Sequence, residues 1–207
     1  MIKLADIQHE CLRLYSLEKR EIRKLDPQVP AILFEDFLNY MAIQTRLYSQ
    51  KYNLFCDSVM MWTEDKHKAG VHYSSGLIGY WFGVILYNEE YIHETILHEL
   101  CHSVHGNHLA DFWNMLTGLL KAESMLIGEH YFESHREETG DYVLIENGTT
   151  EYWVGKNKLR MYKMPILTKR NNLISDVEWE KFDLIKTIIN RTIKKRTTKH
   201  FISFVLN

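Results

Sequence analysis

The sequence predicts an α+β fold in which a small antiparallel sheet packs beside one amphipathic helix, with further helices towards both ends of the chain. Two observations support this. Apolar residues recur at helical spacing in the first 50 and the last 30 residues, and short strand-like runs lie in the region 57–87, before a helix with a histidine-rich face. With 207 residues, of which 45% are hydrophobic, the chain is long enough to bury a core.

The N-terminal part is predicted to be helical. Residues 2–25 place apolar side chains at helical spacing among charged ones, and this helix is expected to end at Pro27. Residues 31–52 form a second predicted helix after Pro30. Three strands are then expected, at residues 58–63, 70–73 and 77–87. An exposed edge strand of such a sheet can bind an extended peptide through its backbone, and the sequence leaves open which strand forms that edge.

The next helix has two distinct faces. Asn88 is a suitable N-cap, Glu89 and Glu90 complement the positive end of the helix dipole, and Gly106 is expected to end the helix. One half of its surface is predicted to be buried and apolar: Ile92, Ile96, Leu97, Leu100, Cys101 and Val104.

The opposite side of this helix carries the motif H-E-x-x-H. His98 and His102 are four residues apart, so their imidazoles lie on one face and can converge on a single metal ion. Zn²⁺ suits them because neutral imidazole is a good zinc ligand. Glu99 adjoins the first ligand, where its carboxylate can face the position of a zinc-bound water.

A catalytic zinc usually has a third protein ligand. His105 has the right azimuth, but a rise of about 1.5 Å per residue places it roughly 7 Å along the axis from the midpoint of the first two. His108 follows a turn at Gly106 and can fold back towards the metal. The alternative is a histidine-rich helix in which the motif arose by chance, since the chain has 11 histidines. We predict four site residues: the zinc ligands His98, His102 and His108, and the catalytic residue Glu99.

The motif and the residues after it resemble the SprT-like, WLM-type and YgjP-like group of zinc metallopeptidase domains. The resemblance rests on H-E-L-C-H at residues 98–102, G-N-H at 106–108 and Phe112-Trp113 in the next predicted helix. It implies a zincin-like fold, in which the same three histidines bind zinc and Glu99 is the general base. The chain has no four-cysteine zinc ribbon of the kind that ends some members of the group.

The rest of the chain is predicted to be a helix at 109–125, a β-meander at 141–164 and a helix from 176 onwards. Phe112 and Trp113 are expected to support the turn that carries His108. The sequence Asn147-Gly148 predicts a hairpin. Five titratable residues lie at the end of the helix at 109–125 or after it, and one of them could be a further ligand or a proton shuttle, although such residues more often lie on the surface. They are Glu123, Glu129, His130, Glu133 and His135.

These elements divide the chain into three segments: an N-terminal helical extension (1–29), a zincin-like metallopeptidase core (30–130), and the β-meander with a C-terminal helix and basic tail (131–207). The tail residues either complement the end of the helix dipole or make a weak contact to nucleic-acid phosphates. They are Arg191, Lys194, Lys195, Arg196, Lys199 and His200.

The composition excludes several classes of protein. A formal net charge of -2 argues against bulk attraction to nucleic acid or to anionic membranes. The three cysteines lack a C-x-x-C pair, which predicts a reducing compartment and no cysteine-rich zinc module. The longest apolar run is too short to span a bilayer, and no signal peptide is visible. We therefore expect a cytoplasmic protein without a membrane partner.

Three functions are compatible with these observations. The first is a zinc metallopeptidase that acts on protein or peptide substrates. The second is a zinc hydrolase of the same fold that cleaves a non-peptide bond, such as a nucleotide phosphoanhydride. The third is a non-enzymatic nucleic-acid-binding or protein-binding module with a structural metal, which would normally have four protein ligands and no open position.

Overall fold

The structure is a computed structural model that describes residues 3–64, 68–108, 110–134, 142–144, 160–167, 173, 179–195 and 201–203. Its contacts divide the chain into two units. The first comprises Met1–Leu100 and Arg170–Asn207, and the second comprises Cys101–Lys169. The boundary between them follows Leu100, inside the last turn of the motif helix. The three segments 1–29, 30–130 and 131–207 stay a prediction.

The described residues form a mixed α+β structure. The helices, in chain order, are α1 (Leu4–Ser16), α2 (Lys19–Ile22), α3 (Gln28–Tyr52), α4 (Glu89–Cys101), α5 (Ala110–Ala122) and α6 (Trp179–Lys195). The strands are β1 (Ser58–Trp62), β2 (Gly70–His72), β3 (Leu77–Trp81), β4 (Leu126–Ser134), β5 (Tyr142–Leu144), β6 (Arg160–Leu167) and β7 (Phe201–Ser203). No helix among the described residues is both long and apolar enough to cross a membrane.

The predicted helix at 2–25 is wrong in one respect, because it is broken into α1 and α2. Leu17 and Glu18 have extended backbone conformations between the two helices. Glu18 then begins α2 with a capping box, in which its side chain and that of Glu21 each bond the other residue's backbone N–H. Two local hydrogen bonds at this point favour a new helix start over continuation of α1.

Helix α3 is the centre of the first unit. It packs against α1, α6 and β1, and its rings Phe34 and Phe37 contact Phe82 at centroid distances of 5.4 and 6.2 Å. Phe82 in turn stacks on Phe182 of α6 at 5.6 Å. All four rings are fully buried, so they supply a large share of the apolar area removed from water.

The sheet of the first unit has the order β2-β3-β1-β7 and is mixed, so the predicted antiparallel sheet is wrong in part. β2 turns back as β3 at Gly76, whose φ of 83° is the left-handed conformation that glycine accepts. β3 enters between β2 and β1, and because β1 and β3 are separated in the chain by one antiparallel strand, they run parallel. β7 was not predicted, and it pairs antiparallel with β1.

The third predicted strand, 77–87, is too long. β3 ends at Trp81, and Phe82–Leu86 form a 3₁₀ helix. A Cβ atom at Gly83 would lie 2.3 Å from the ring of Trp81, so this turn of chain packs directly against the last side chain of the strand.

The second unit contains α5 and a three-stranded antiparallel sheet of order β5-β4-β6. α5 packs against β6 and β4. Two strands of the predicted meander are found, as β5 and β6, but in the described sheet they do not pair with each other: both pair with β4, which the sequence did not predict. The expected hairpin at Asn147-Gly148 lies outside the described residues.

Candidate metal centre

Helix α4, which carries the motif, is held in place by two kinds of contact. Its apolar face is fully buried at Ile92, Ile96, Leu97, Leu100 and Cys101, as predicted. Its other anchor is His93, whose Nε2 and Nδ1 lie 2.9 and 2.8 Å from the hydroxyls of Tyr40 and Tyr48 of α3. Because a packed face and a hydrogen-bonded ring resist rotation together, α4 presents the following residues in a defined orientation.

The predicted end of this helix at Gly106 is wrong. α4 ends at Cys101, and the amides of Val104 and His105 both bond the carbonyl of Cys101 in a turn. Val104 is consequently 59% exposed instead of buried, since it no longer follows the helical periodicity. Because α4 ends at Cys101 instead of Gly106, residues 102–108, and not only 107–108, are available to bring His108 back to the helix.

The structure brings His98, His102 and His108 together. Their ligand atoms all lie within 4.8 Å of one another, and each residue is half-buried. Among the side chains that the structure describes, no carboxylate, cysteine or further histidine joins this group. His105 is not part of it, so the geometry favours His108 over His105 as the third ligand. The assignment of these residues to zinc stays a prediction.

His102 is held by a backbone carbonyl. Its Nδ1 lies 2.9 Å from the carbonyl oxygen of His105, and because a carbonyl only accepts, Nδ1 must carry the proton. The neutral ring then keeps its lone pair on Nε2, which is the arrangement that a metal ligand needs. Burial, the main cause, lowers the pKa of His102 and so favours the neutral ring. The sequence analysis missed this role of residue 105, since a carbonyl is carried by every residue type.

Two aromatic residues of α5 hold the other side of these rings. The ring of Phe112 lies 4.6 Å from His102 and 4.6 Å from His108, measured between centroids. The ring of Trp113 lies 5.7 Å from that of His108. Phe112 is fully buried and Trp113 nearly so. The predicted support of the His108 turn by these two residues is confirmed.

Glu99 is buried against strand β2. Its side-chain atoms would lie 2.6 to 2.8 Å from a Cβ at Gly70, and its carboxylate accepts a hydrogen bond from the backbone N–H of His72. Burial, the largest effect, raises the pKa of Glu99 to about 8. The amide of His72 and the charge of Lys68 oppose this rise, and the carboxylate of Glu94 adds to it.

Strand β2 is an edge strand of its sheet, and its open side faces Glu99. The backbone groups of residues 69 and 73 point towards β3. Ala69 C=O accepts from Trp81 N–H, and Tyr73 N–H donates to Leu77 C=O. Backbone groups alternate along an antiparallel pair, so the N–H groups of Gly70 and His72 point away from β3. A peptide cannot use the His72 N–H for pairing while Glu99 accepts it.

Neither Gly70 nor His72 was predicted as a site residue. Gly70 was predicted only as the first residue of a strand, and the contribution of His72 is a backbone amide. The only available signal was a glycine at a strand position that precedes the motif, and this is a weak signal. Glu129, His130, Glu133 and His135 are not tested, because their side chains lie outside the described part of the chain.

Two family models match the chain. The WLM domain matches residues 86–196, and the YgjP-like metallopeptidase domain matches residues 4–123. Each covers more than half of the chain, and they overlap in the segment that contains α4 and the three histidines. Neither the search of curated proteins nor that of solved structures found a match. The chain therefore belongs to the group of WLM and YgjP-like metallopeptidase domains, as the resemblance of its motif residues implied.

Proposed function

We propose that this chain is a zinc metallopeptidase that hydrolyses peptide bonds in protein or peptide substrates. The observation that carries the proposal is the convergence of His98, His102 and His108 in a chain that belongs to a metallopeptidase family. In the proposed site these three residues hold one Zn²⁺, and Glu99 is the general base. A zincin-like arrangement of α4 and the β1–β3 region belongs to the same proposal.

The donor set fits zinc. Imidazole nitrogens about 2.1 Å from a tetrahedral zinc lie about 3.4 Å from one another. Ligand atoms that are at most 4.8 Å apart can reach this arrangement by small rotations of their side chains. Three protein ligands also leave the fourth position for water or substrate, as in catalytic rather than structural zinc sites.

The mechanism assigns a separate task to each residue. Zinc bound here would act as a Lewis acid and lower the pKa of a bound water. Glu99 accepts the proton of the attacking water and delivers it to the leaving amine. A cation at the histidines would favour the ionised form of Glu99, and so offset the effect of its burial. The bond from His102 Nδ1 to the carbonyl of His105 fixes the ring that must present Nε2.

Two further expectations belong to this proposal. Cys11, Cys56 and Cys101 are buried and widely spaced along the chain, and the proposal keeps the expected reducing, cytoplasmic environment. A weak contact of the basic tail with nucleic acid stays a prediction, because residues 196–200 lie outside the described part of the chain.

The proposal is tested with the purified zinc-loaded chain, assayed on casein and on nucleoside triphosphates beside Glu99→Gln. We expect casein cleavage that falls by about 10²- to 10⁴-fold in the variant, the range for a lost general base, with zinc content unchanged. Hydrolysis of nucleoside triphosphates alone would contradict the peptide substrate. A Glu99→Gln protein that keeps both zinc and full activity would overturn the role of Glu99.

A further inference from the structure

The carboxylate of Glu99 rests on strand β2 and not in open solvent. Its Cγ, Cδ and Oε1 occupy the space in which a side chain at residue 70 would begin, with Cγ and Oε1 only 2.6 Å from a Cβ built there. The backbone N–H of His72, two residues further along the same strand, donates to the carboxylate. Glu99 itself is only 5% exposed.

Gly70 is needed for space and not for backbone freedom. Among the described glycines, Gly76 is the one with a positive φ, so the conformation of Gly70 is open to any residue. Alanine at this position would place its methyl group inside the present position of Glu99. Because the displaced atoms belong to a side chain, the carboxylate would move while the strand stayed in place.

The amide of His72 is the natural partner of this carboxylate. It points away from β3 because residues 69 and 73 make the bonds of the β2–β3 ladder. A buried carboxylate without a donor would be costly, and a charge-assisted bond from a backbone amide compensates for part of this cost. Lys68 adds a favourable charge from the same part of the chain.

We propose that Gly70 and the backbone amide of His72 form a carboxylate seat, and that Gly70 is a positioning residue that acts through Glu99. This proposal rests on the proposed hydrolase function for its kinetic consequence, but the seat itself can be tested without zinc. A proton acceptor displaced by about 1 Å loses reactive geometry and can cost about 10²-fold in rate. The seat therefore determines whether the base can reach the attacking water.

The first test observes the seat without any reaction. In the zinc-free, ¹⁵N-labelled full chain, Glu99→Ala removes the acceptor and should move the His72 amide proton resonance upfield. Gly70→Ala should move the same resonance in the same direction, because it displaces the acceptor. Gly118→Ala is the matched control, since nothing lies within 4 Å of its Cβ position, and it should leave the resonance unchanged. A His72 amide that responds to Glu99→Ala but not to Gly70→Ala would overturn the role of Gly70.

The second test separates positioning from a merely structural effect. Gly70→Ala should lower kcat by about 10- to 100-fold with KM and zinc content unchanged. In a Glu99→Asp background the carboxylate is one methylene shorter, so the same substitution should have little further effect. An equal loss of kcat in both backgrounds would contradict the proposal.

A third pair of variants tests the amide. His72→Pro removes the N–H, which β3 does not use, and proline is tolerated on an edge strand at such a position. It should lower kcat as Gly70→Ala does, whereas His72→Ala keeps the N–H and should retain a higher kcat. If His72→Pro and His72→Ala are equally active, the amide has no role. If the chain has no hydrolase activity at all, the proposed function fails, and the resonance test alone decides the seat.

Discussion

The residues of the H-E-x-x-H motif are supported in two different ways. Glu99 is held by backbone: a glycine that leaves space and an amide that donates a hydrogen bond, both on β2. His102 is held by the ring of Phe112, which packs against it, and by the backbone carbonyl of His105, which accepts from its Nδ1. His108 shares the same aromatic support.

The difference follows from the chemistry of the groups. A buried carboxylate must find a donor or lose its charge, and its raised pKa reflects that cost. A neutral imidazole can be surrounded by apolar rings, provided that one nitrogen is satisfied and the other is free for a metal. Most side-chain substitutions leave a supporting backbone amide in place, whereas one substitution of an aromatic residue by alanine removes the supporting ring. The predictions below use this contrast.

The largest expected effect is on metal affinity, from His108→Ala. Loss of a direct ligand should lower the affinity for Zn²⁺ by more than the roughly 10- to 100-fold that is typical for loss of an outer partner. His105→Ala should have a small effect, because the group that orients His102 is the backbone carbonyl of residue 105, which alanine retains. Zinc titration against a competing chelator measures both. Equal losses for the two variants would contradict the assignment of His108.

A smaller loss of zinc affinity is expected from Phe112→Ala. Its ring contacts both His102 and His108, so its removal should lower zinc affinity by about 10- to 100-fold. Phe182→Ala is a matched control, since it removes an equally buried ring in the first unit. Both variants should lose about 3–5 kcal/mol of stability, measured by urea unfolding of the zinc-free protein. If Phe182→Ala lowered zinc affinity as much as Phe112→Ala, the effect would be one of stability alone.

The last expected effect is a pair of opposite pH dependences in the zinc-free protein. The pKa of Glu99 is raised from 4.5 to about 8, so the folded state keeps a proton that the unfolded state loses, and stability falls as pH rises through this range. The pKa of His102 is lowered from 6.5, so its contribution is lost as pH falls below that value.

Urea unfolding between pH 5 and 9 measures both effects. Relative to wild type, Glu99→Gln should flatten the fall in stability as pH rises from 5 to about 8, and His102→Asn should flatten the fall in stability as pH drops below 6.5. Unchanged slopes in the two variants would show that other groups cause the pH dependence.

The approximate positions of the helices and of three strands in the first unit, and the convergence of His98, His102 and His108, could be predicted because each depends on local sequence pattern. The roles of the site residues stay predictions. The buried face of α4 and the end of α3 at Tyr52 follow from periodicity, but α3 begins at Gln28 instead of residue 31, because Pro30 is accommodated in its first turn. The spacing of His98 and His102 places them on one face for the same reason. The choice of His108 relied on a turn at Gly106, whereas the chain already leaves the helix after Cys101.

The features that were missed depend on distant partners. β7 exists through pairing with β1, which is about 140 residues earlier in the chain, and β4 exists through pairing with β5 and β6. The seat of Glu99 needs β2 at a particular register beside α4, and its two parts are a missing side chain and a backbone amide. Neither part can be predicted from the types of residue in the sequence. The early end of α4 was missed because the 3₁₀-type bond from Val104 N–H to the carbonyl of Cys101 is made by backbone groups that every residue type carries.

The central claim is that three imidazoles bind one zinc ion and leave one position open. X-ray absorption at the zinc edge of the loaded protein tests it most directly. We predict about three nitrogen ligands at 2.0–2.1 Å and one oxygen ligand, with the histidine signal reduced in His108→Ala. A sulfur ligand near 2.3 Å, or four protein nitrogens with no oxygen, would describe a closed structural site and contradict the account.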